Sequence, residues 1–233
     1  MSRKPRIAVI MDENTSVDGT RYETSKSYFS AIARAGGLPF GIPYLADLVD
    51  PVIEEFDGFL SIGGRIQFPE AWYVTGDRSQ YKPSDRLAVE QALMEGFLAR
   101  NKPVLGICNG MQMLGCLHGC RMVSDVHASW PGAINHDRQD LLHDVEIRNG
   151  TRLVGILGRE TFTVNTFHRE ALVELSDHVV AAAHSPDGVV EAIEIPAQSF
   201  AIGLQWHPEK FQPDDHPGAR IFEAFVEAAR PHR

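Results

Sequence analysis

The chain has 233 residues, 43% of them hydrophobic and 23% charged, which is enough apolar material for a sizeable core in an ordinary soluble globular protein. A formal net charge of -9 argues against a nucleic-acid surface, which needs a basic patch to neutralise phosphate. No run of about 18 apolar residues is present to span a membrane, and an odd count of three cysteines without a secretory signal points to reduced thiols and a cytoplasmic home.

The basic start, Met1-Ser2-Arg3-Lys4-Pro5-Arg6, leads only into a short predicted strand, Arg6 to Met11, too short for a signal-peptide core. Thr24 to Ala35 follows as a helix with Tyr28, Ile32 and Ala35 along one face, stopped by Gly36-Gly37. Pro39 to Ile42 is a strand, Pro51 to Phe56 a short helix, and Gly58 to Ile62 a strand. Ser84 to Arg100 is a longer helix with Leu87, Met94, Phe97 and Leu98 inward. This alternation predicts an α/β fold: one flavodoxin-like, doubly wound domain over 1–233 with a mostly parallel central sheet.

The next element carries chemistry. Pro103-Val104-Leu105 runs into Gly106-Ile107-Cys108-Asn109-Gly110 and then the helical pattern Met111-Gln112-Met113-Leu114, the order strand, sharp turn, helix. In such a nucleophile elbow the residues two before and two after the central one must be nearly side-chain-free. The sulfur would then sit at a helix N-terminus, where unpaired N–H groups favour a thiolate. A bare G-x-C-x-G is equally compatible with a packed structural cysteine, so its context decides.

Past the elbow helix the rhythm changes to short strands, Leu142 to Ile147, Thr161 to Val164, Val179 to Ala183, Gly188 to Ile195 and Phe200 to Trp206, with Pro186-Asp187-Gly188 as a turn. These read as an antiparallel extension of the same sheet in the C-terminal half. A final helix, Pro217 to Ala229, buries Ile221, Phe222, Phe225 and Val226. The last strand runs into His207-Pro208-Glu209. Proline keeps the residue before it extended, and extended residues two apart share a side, so Glu209 can reach the imidazole of His207.

A cysteine elbow about a hundred residues before a strand-terminal H-P-E resembles the class I glutamine amidotransferase superfamily. The resemblance is closest to the standalone peptidase C26 kind, the γ-glutamyl-γ-aminobutyrate hydrolase-like family, and it covers nearly the whole chain. Tyr28 to Pro39 is similar to that family's first helix and glycine stop, and Asp57 to Gly64 to its glycine loop. Val164-Asn165-Thr166-Phe167-His168 resembles its V-N-S-x-H segment, and Ala183 to Glu194 its late hairpin. The departures are Asn109 where arginine usually follows the nucleophile, Gly64-Arg65-Ile66-Gln67 in place of G-G-x-D, and Arg169-Glu170 in place of a second His and Gln.

The resemblance implies a cysteine hydrolase that cleaves the γ-glutamyl amide bond of a small γ-glutamyl-amine through a thioester. Cys108 would be the nucleophile, His207 the base and then the acid, and Glu209 its orienting partner. It places the oxyanion donors at the backbone N–H groups of Gly64 and Asn109, and substrate contacts at Gln112, Asn165, Thr166, Phe167 and His168. Arg65 and Arg169 suggest a leaving group that carries a carboxylate. The partner expected is a small γ-glutamyl substrate, with no cofactor, metal, nucleic acid or membrane, and a homodimer is left open. Two alternatives remain: a glutaminase subunit delivering ammonia to a separate synthase, disfavoured because the chain ends soon after H-P-E, and a non-catalytic binding protein of the same fold.

Cys116-Leu117-His118-Gly119-Cys120 holds three metal-ligating residue types, but on a continued helix His118 would point away from the two cysteines. Two irregular stretches, 67–83 with Trp72, Tyr73 and Tyr81, and 124–140 with His127, Trp130, His136 and Arg138, could wall a pocket or simply anchor loops.

Overall fold

A parallel strand pair needs a crossover to bring the chain back, and the first half of this chain repeatedly supplies a helix for it. The computed structural model describes residues 3–13, 21–130, 132–211 and 216–231. Met1 and Ser2 of the basic start and Pro131 of the second irregular stretch lie outside them. In chain order, β1 (Arg6–Ile10) is followed by the short pair β2 (Asp12–Glu13) and β3 (Tyr22–Glu23), then α1 (Lys26–Arg34), β4 (Leu38–Ile42), α2 (Val49–Glu55) and β5 (Gly58–Ser61). Next come α3 (Arg86–Ala99), β6 (Val104–Ile107) and α4 (Asn109–Leu117). The second half contains β7 (Arg121–Val123), α5 (Val126–Ser129), β8 (Leu142–Ile147), α6 (Arg152–Leu157), β9 (Thr161–Asn165), β10 (Ala171–Glu174), β11 (Val180–His184), β12 (Val190–Glu194), β13 (Ala201–Leu204) and α7 (Arg220–Ala228).

Nine strands form one sheet in the order β4-β1-β5-β6-β13-β12-β11-β8-β9. The pairs from β4 to β13 are parallel, and those from β13 through β12, β11, β8 and β9 are antiparallel, as the change of rhythm predicted. Every residue of β5, β6 and β13 is buried, as expected of strands covered on both faces by helices. Among the described residues no helix is long and apolar enough to cross a membrane.

The structure corrects the sequence reading in four places. β10, which the sequence reading did not name, pairs with β7 in a separate two-stranded sheet. α5 and α6 were not foreseen; α6 is only six residues long, with Thr151 capping its start, Glu194 accepting the N–H groups of Arg152 and Leu153, and Gly158 ending it at φ 68. α4 stops at Leu117, and Gly119 at φ 89 turns the chain, so Cys120 lies off the helix and shares no helical face with Cys116. In α3 the inward positions include Val89 and Leu93, while Leu87 is only partly buried.

Candidate active site

Cys108 has φ 53 and ψ -104, a backbone conformation that costs a non-glycine residue of the order of 1–3 kcal/mol and persists only where the surroundings impose it. Its N–H donates to the Leu204 carbonyl at 2.7 Å, and its carbonyl accepts the Gln112 N–H at 3.1 Å. The flanking glycines are demanded by close approach. A Cβ on Gly106 would lie 2.5 Å from the Gly110 carbonyl oxygen, and one on Gly110 would collide with the Ser61 carbonyl. The predicted elbow is therefore formed, with Cys108 as the residue that caps α4.

His207 leaves β13 with φ -108 and ψ 83, and Pro208–Lys210 then make one 3-10 turn. Glu209 reaches back across that turn rather than along an extended strand, which corrects the predicted route but not its result. Glu209 Oε1 lies 2.8 Å from His207 Nδ1, and both side chains are buried. Burial works to lower the His207 pKa, but the Glu209 carboxylate and Cys108 outweigh it and push it up to about 10. His207 Nε2 makes no hydrogen bond among the described residues and is the nitrogen left for Cys108. Asn165 fixes the main chain beneath it: its side chain accepts from the His207 N–H at 2.8 Å and donates to the His207 carbonyl at 3.0 Å.

Opposite the elbow lies the Gly63-Gly64 turn. A Cβ on Gly63 would stand 2.9 Å from His207 Cε1 and 3.7 Å from the Cys108 Cβ, so loop, imidazole and cysteine meet at one point. The Gly63 N–H donates to the Tyr28 hydroxyl at 3.2 Å. Burial and the Glu209 carboxylate hold the Tyr28 pKa well above its ordinary value, leaving the phenol neutral.

Arg86, fully buried, supports this turn from behind. Its guanidinium donates to the carbonyls of Ile62 at 2.7 Å and Gly63 at 3.1 Å, and to both carboxylate oxygens of buried Glu90 at 2.7 and 2.8 Å. Ser61 Oγ donates to Glu90 at 2.7 Å, which ties the end of β5 to the same pair. Sequence reading missed this network and gave Tyr28 only as an inward position of the first helix. The available signal was an Arg and a Glu four apart among the inward positions of α3, where a charge is retained only if paired.

These groups open on a cavity of about 890 Å³, with Cys108, His207, Glu209 and Tyr28 on one side and Arg65, Tyr81, Phe167 and Lys210 among its walls. The 67–83 stretch contributes to the wall through Gln80, Tyr81, Lys82 and Pro83. Its Tyr73 is instead an anchor, donating to Glu170 at 2.9 Å. From 124–140, Asp137 pairs with Arg65, whose guanidinium lies 4.4 Å from the centre of the Phe167 ring.

Several expected substrate contacts are elsewhere. Gln112 is enclosed and donates to the Glu170 carbonyl at 2.8 Å and Gln205 at 3.1 Å. Thr166 is buried and donates to the His136 carbonyl at 3.0 Å, and Asn165 is occupied with His207. His168 is buried beside Glu191. Arg169 pairs with Asp125 at 3.1 Å and Gln80 at 3.1 Å and does not line the cavity, whereas Arg65, itself paired with Asp137, borders it. Of the predicted 165–168 contacts, Phe167 alone lines it, because each neighbouring side chain is committed to holding the main chain or to a buried cluster.

A buried thiol, an imidazole oriented by a carboxylate, and a glycine turn beside them form a constellation suited to nucleophilic acyl transfer. Comparison with known proteins agrees at the level of family. The peptidase C26 family model matches residues 5–209. The chain is 30% identical to the γ-glutamyl-γ-aminobutyrate hydrolase PuuD of Escherichia coli over 98% of this chain and 94% of that protein. It is also 30% identical to protein NtpR of Enterococcus hirae, over 88% of each. The crystal structure of a Thermoplasma acidophilum protein, provisionally named as part of a GMP synthase, superposes with a TM-score of 0.68 at 19% identity, covering 98% of this chain and 96% of that one, a likeness of fold.

Proposed function

Because the chain belongs to the peptidase C26 family of hydrolases, we propose that it cleaves the γ-glutamyl amide bond of a small γ-glutamyl-amine, with Cys108, His207 and Glu209 as its catalytic residues. The observation that carries the reading is the meeting of Cys108, the His207–Glu209 pair and the Gly63-Gly64 turn at one end of the large cavity.

In this mechanism His207 takes the thiol proton and the sulfur attacks the δ-carbonyl carbon. The tetrahedral oxyanion is received by the backbone N–H groups of Gly64 and Asn109, each such donor contributing on the order of 3 kcal/mol to transition-state stabilisation. His207 then protonates the leaving amine, and the carbon–nitrogen bond breaks to give a γ-glutamyl thioester. Water, deprotonated by the same imidazole, releases glutamate and restores the thiol. Glu209 holds Nδ1 and stabilises the imidazolium throughout. Arg65, on the cavity wall over Phe167, would pair with a carboxylate on the leaving group, as in γ-glutamyl-γ-aminobutyrate.

The test is a panel of γ-glutamyl amides, including glutamine, with release of glutamate and amine measured for the wild type and Cys108→Ala. Release from γ-glutamyl-amines by the wild type and none by the variant is expected. Activity confined to glutamine and raised by an added synthase would favour an ammonia-supplying subunit instead, and inactivity on the whole panel would sink both readings. Arg65→Ala should lower kcat/KM for acidic leaving groups more than for neutral ones; equal loss on both would remove the carboxylate role.

A further inference from the structure

Away from the cavity, the loop after α5, strand β8, the segment after β9 and strand β12 bring His136, His143, His168 and Glu191 together in the protein interior. Glu191 Oε1 lies 3.5 Å from His136 Nδ1, 3.5 Å from His143 Nε2 and 3.4 Å from His168 Nε2. Donor atoms of His136, His143 and Glu191 all fall within 4.8 Å of one another. Glu191 and His136 are fully buried, and His143 and His168 are 7% and 3% exposed.

The hydrogen bonds around the cluster fix where the protons are. His143 Nδ1 faces the Asp144 carbonyl at 3.0 Å and His168 Nδ1 faces the Glu170 carbonyl at 3.1 Å. A carbonyl only accepts, so both Nδ1 atoms carry hydrogen and both Nε2 atoms present lone pairs in the neutral rings. His136 Nε2 faces the Asp187 carboxylate at 3.0 Å, which likewise places its hydrogen there. Its Nδ1 lies 3.3 Å from Thr166 Oγ1, but that hydroxyl gives its proton to the His136 carbonyl at 3.0 Å. Three nitrogen lone pairs and a carboxylate thus converge with no donor between them. His143 Nε2, His168 Nε2 and both Glu191 oxygens have no hydrogen-bond partner among the described residues.

Leaving such groups unpaired in the interior is costly, and a cation at their centre resolves every one of them. Tetrahedral zinc with ligand bonds of about 2.0–2.1 Å sets its ligands roughly 3.3–3.4 Å apart, close to the 3.5 Å that separates Glu191 from His136 and from His143, the three residues whose donors form one compact group; His168 Nε2 stands beside that group, 3.4 Å from Glu191 Oε1. Each histidine also has the second partner that metal-bound imidazoles use to fix ring and tautomer, a carboxylate for His136 and backbone carbonyls for the other two.

We propose that His136, His143 and Glu191 bind one divalent transition-metal ion, zinc by the chemistry of the donors, and that His168 turns its Nε2 in to complete a structural site as the fourth donor. Four protein donors leave a tetrahedral ion no position for a reacting water, which separates a structural from a catalytic centre. The ion would clamp the 134–137 loop and the 166–170 segment to the sheet, and that segment continues from Asn165, which holds the main chain of His207. The site stands independently of the substrate proposed above.

Elemental analysis of full-length protein purified without a metal-affinity step tests this, before and after incubation with Zn²⁺ and desalting. About one equivalent of metal per chain, lost in Glu191→Gln, is expected. Co²⁺ loaded into chelator-stripped protein should give the intense visible bands of a tetrahedral ion, and Asp187→Asn should weaken metal affinity by roughly 10- to 100-fold. Should a variant fail to fold, wild-type stoichiometry and the cobalt spectrum still decide. Wild-type protein that retains under a tenth of an equivalent after Zn²⁺ loading, with no rise in Tm, would overturn the site and leave a proton-shared cluster in its place.

Discussion

At His207 two opposing effects meet, and their balance sets a measurable pH dependence. Burial alone would strip the proton from the imidazole, yet Glu209 at 2.8 Å and Cys108 hold its pKa at about 10. In the proposed mechanism the protonated ring is the acid that expels the amine, so activity should persist into alkaline pH and fall as His207 loses its proton. Glu209→Gln removes the charge but not the shape, and the alkaline limb of kcat/KM should move down by about 1–3 pH units, the usual effect of a close opposite charge. An unmoved limb would show that another group controls it. The folding linkage has the same sign. With a folded pKa above the ordinary 6.5, the stabilisation is fully present below that value and is lost as pH rises towards about 10. His207 and Glu209 were legible in the sequence because two positions and a proline define their relation locally. Gln112 was not: helical spacing gives the face of a residue, but only tertiary packing shows that Gln205 and the Glu170 carbonyl already occupy its amide.

The Gly63-Gly64 turn borrows its rigidity from α3. Arg86 has no exposure to water and is paired with Glu90 and, at 3.3 Å, Asp12. Burial opposes its charge and Glu90 outweighs that, raising its pKa, so the guanidinium stays charged and depends on its partners. Glu90→Gln would leave a buried cation with most of its compensation removed, a change that typically costs about 3–5 kcal/mol. Urea unfolding should register that loss, and the folded fraction should show a lower kcat with KM little changed, because the carbonyls of Ile62 and Gly63 lose a firmly held donor. A variant as stable and as fast as the wild type would show that the turn holds itself. Elements of this length also mark where sequence reading stops. β4, β5, β6 and α3 were legible from periodicity and from their glycine and proline boundaries. α6 was not, because its six residues are capped in part by Glu194, 42 positions after Arg152, a contact that no local pattern encodes. β10 was missed for a similar reason: a four-residue strand that pairs only with β7 has too short a run to show its period.

At the scale of the whole molecule, the switch from parallel to antiparallel pairing falls next to the site. β6 delivers Cys108 and its neighbour β13 delivers His207, with Gly203 opposite Gly106 and Leu204 opposite Ile107 in register. The alternation of strands and helices made the parallel half legible, and the later turn signals made the antiparallel half so; the adjacency of two segments about a hundred residues apart came from family resemblance, since periodicity carries no strand order. This order places both catalytic candidates just past the carboxyl ends of the two strands at the middle of a nine-stranded sheet, strands whose residues are all buried. The edge strand β4 differs: Leu38 and Phe40 are 40% and 45% exposed, and it has one neighbour instead of two. Local opening free energy follows burial and hydrogen bonding, so amides of 104–107 and 201–204 should exchange with solvent only through global unfolding, and those of 38–42 by an easier partial opening. Native-state hydrogen exchange across a denaturant series would resolve the two classes. If the central amides exchanged as readily as those of β4, the cysteine and histidine would not share a rigid frame, and their approach would have to be created by substrate rather than inherited from the fold.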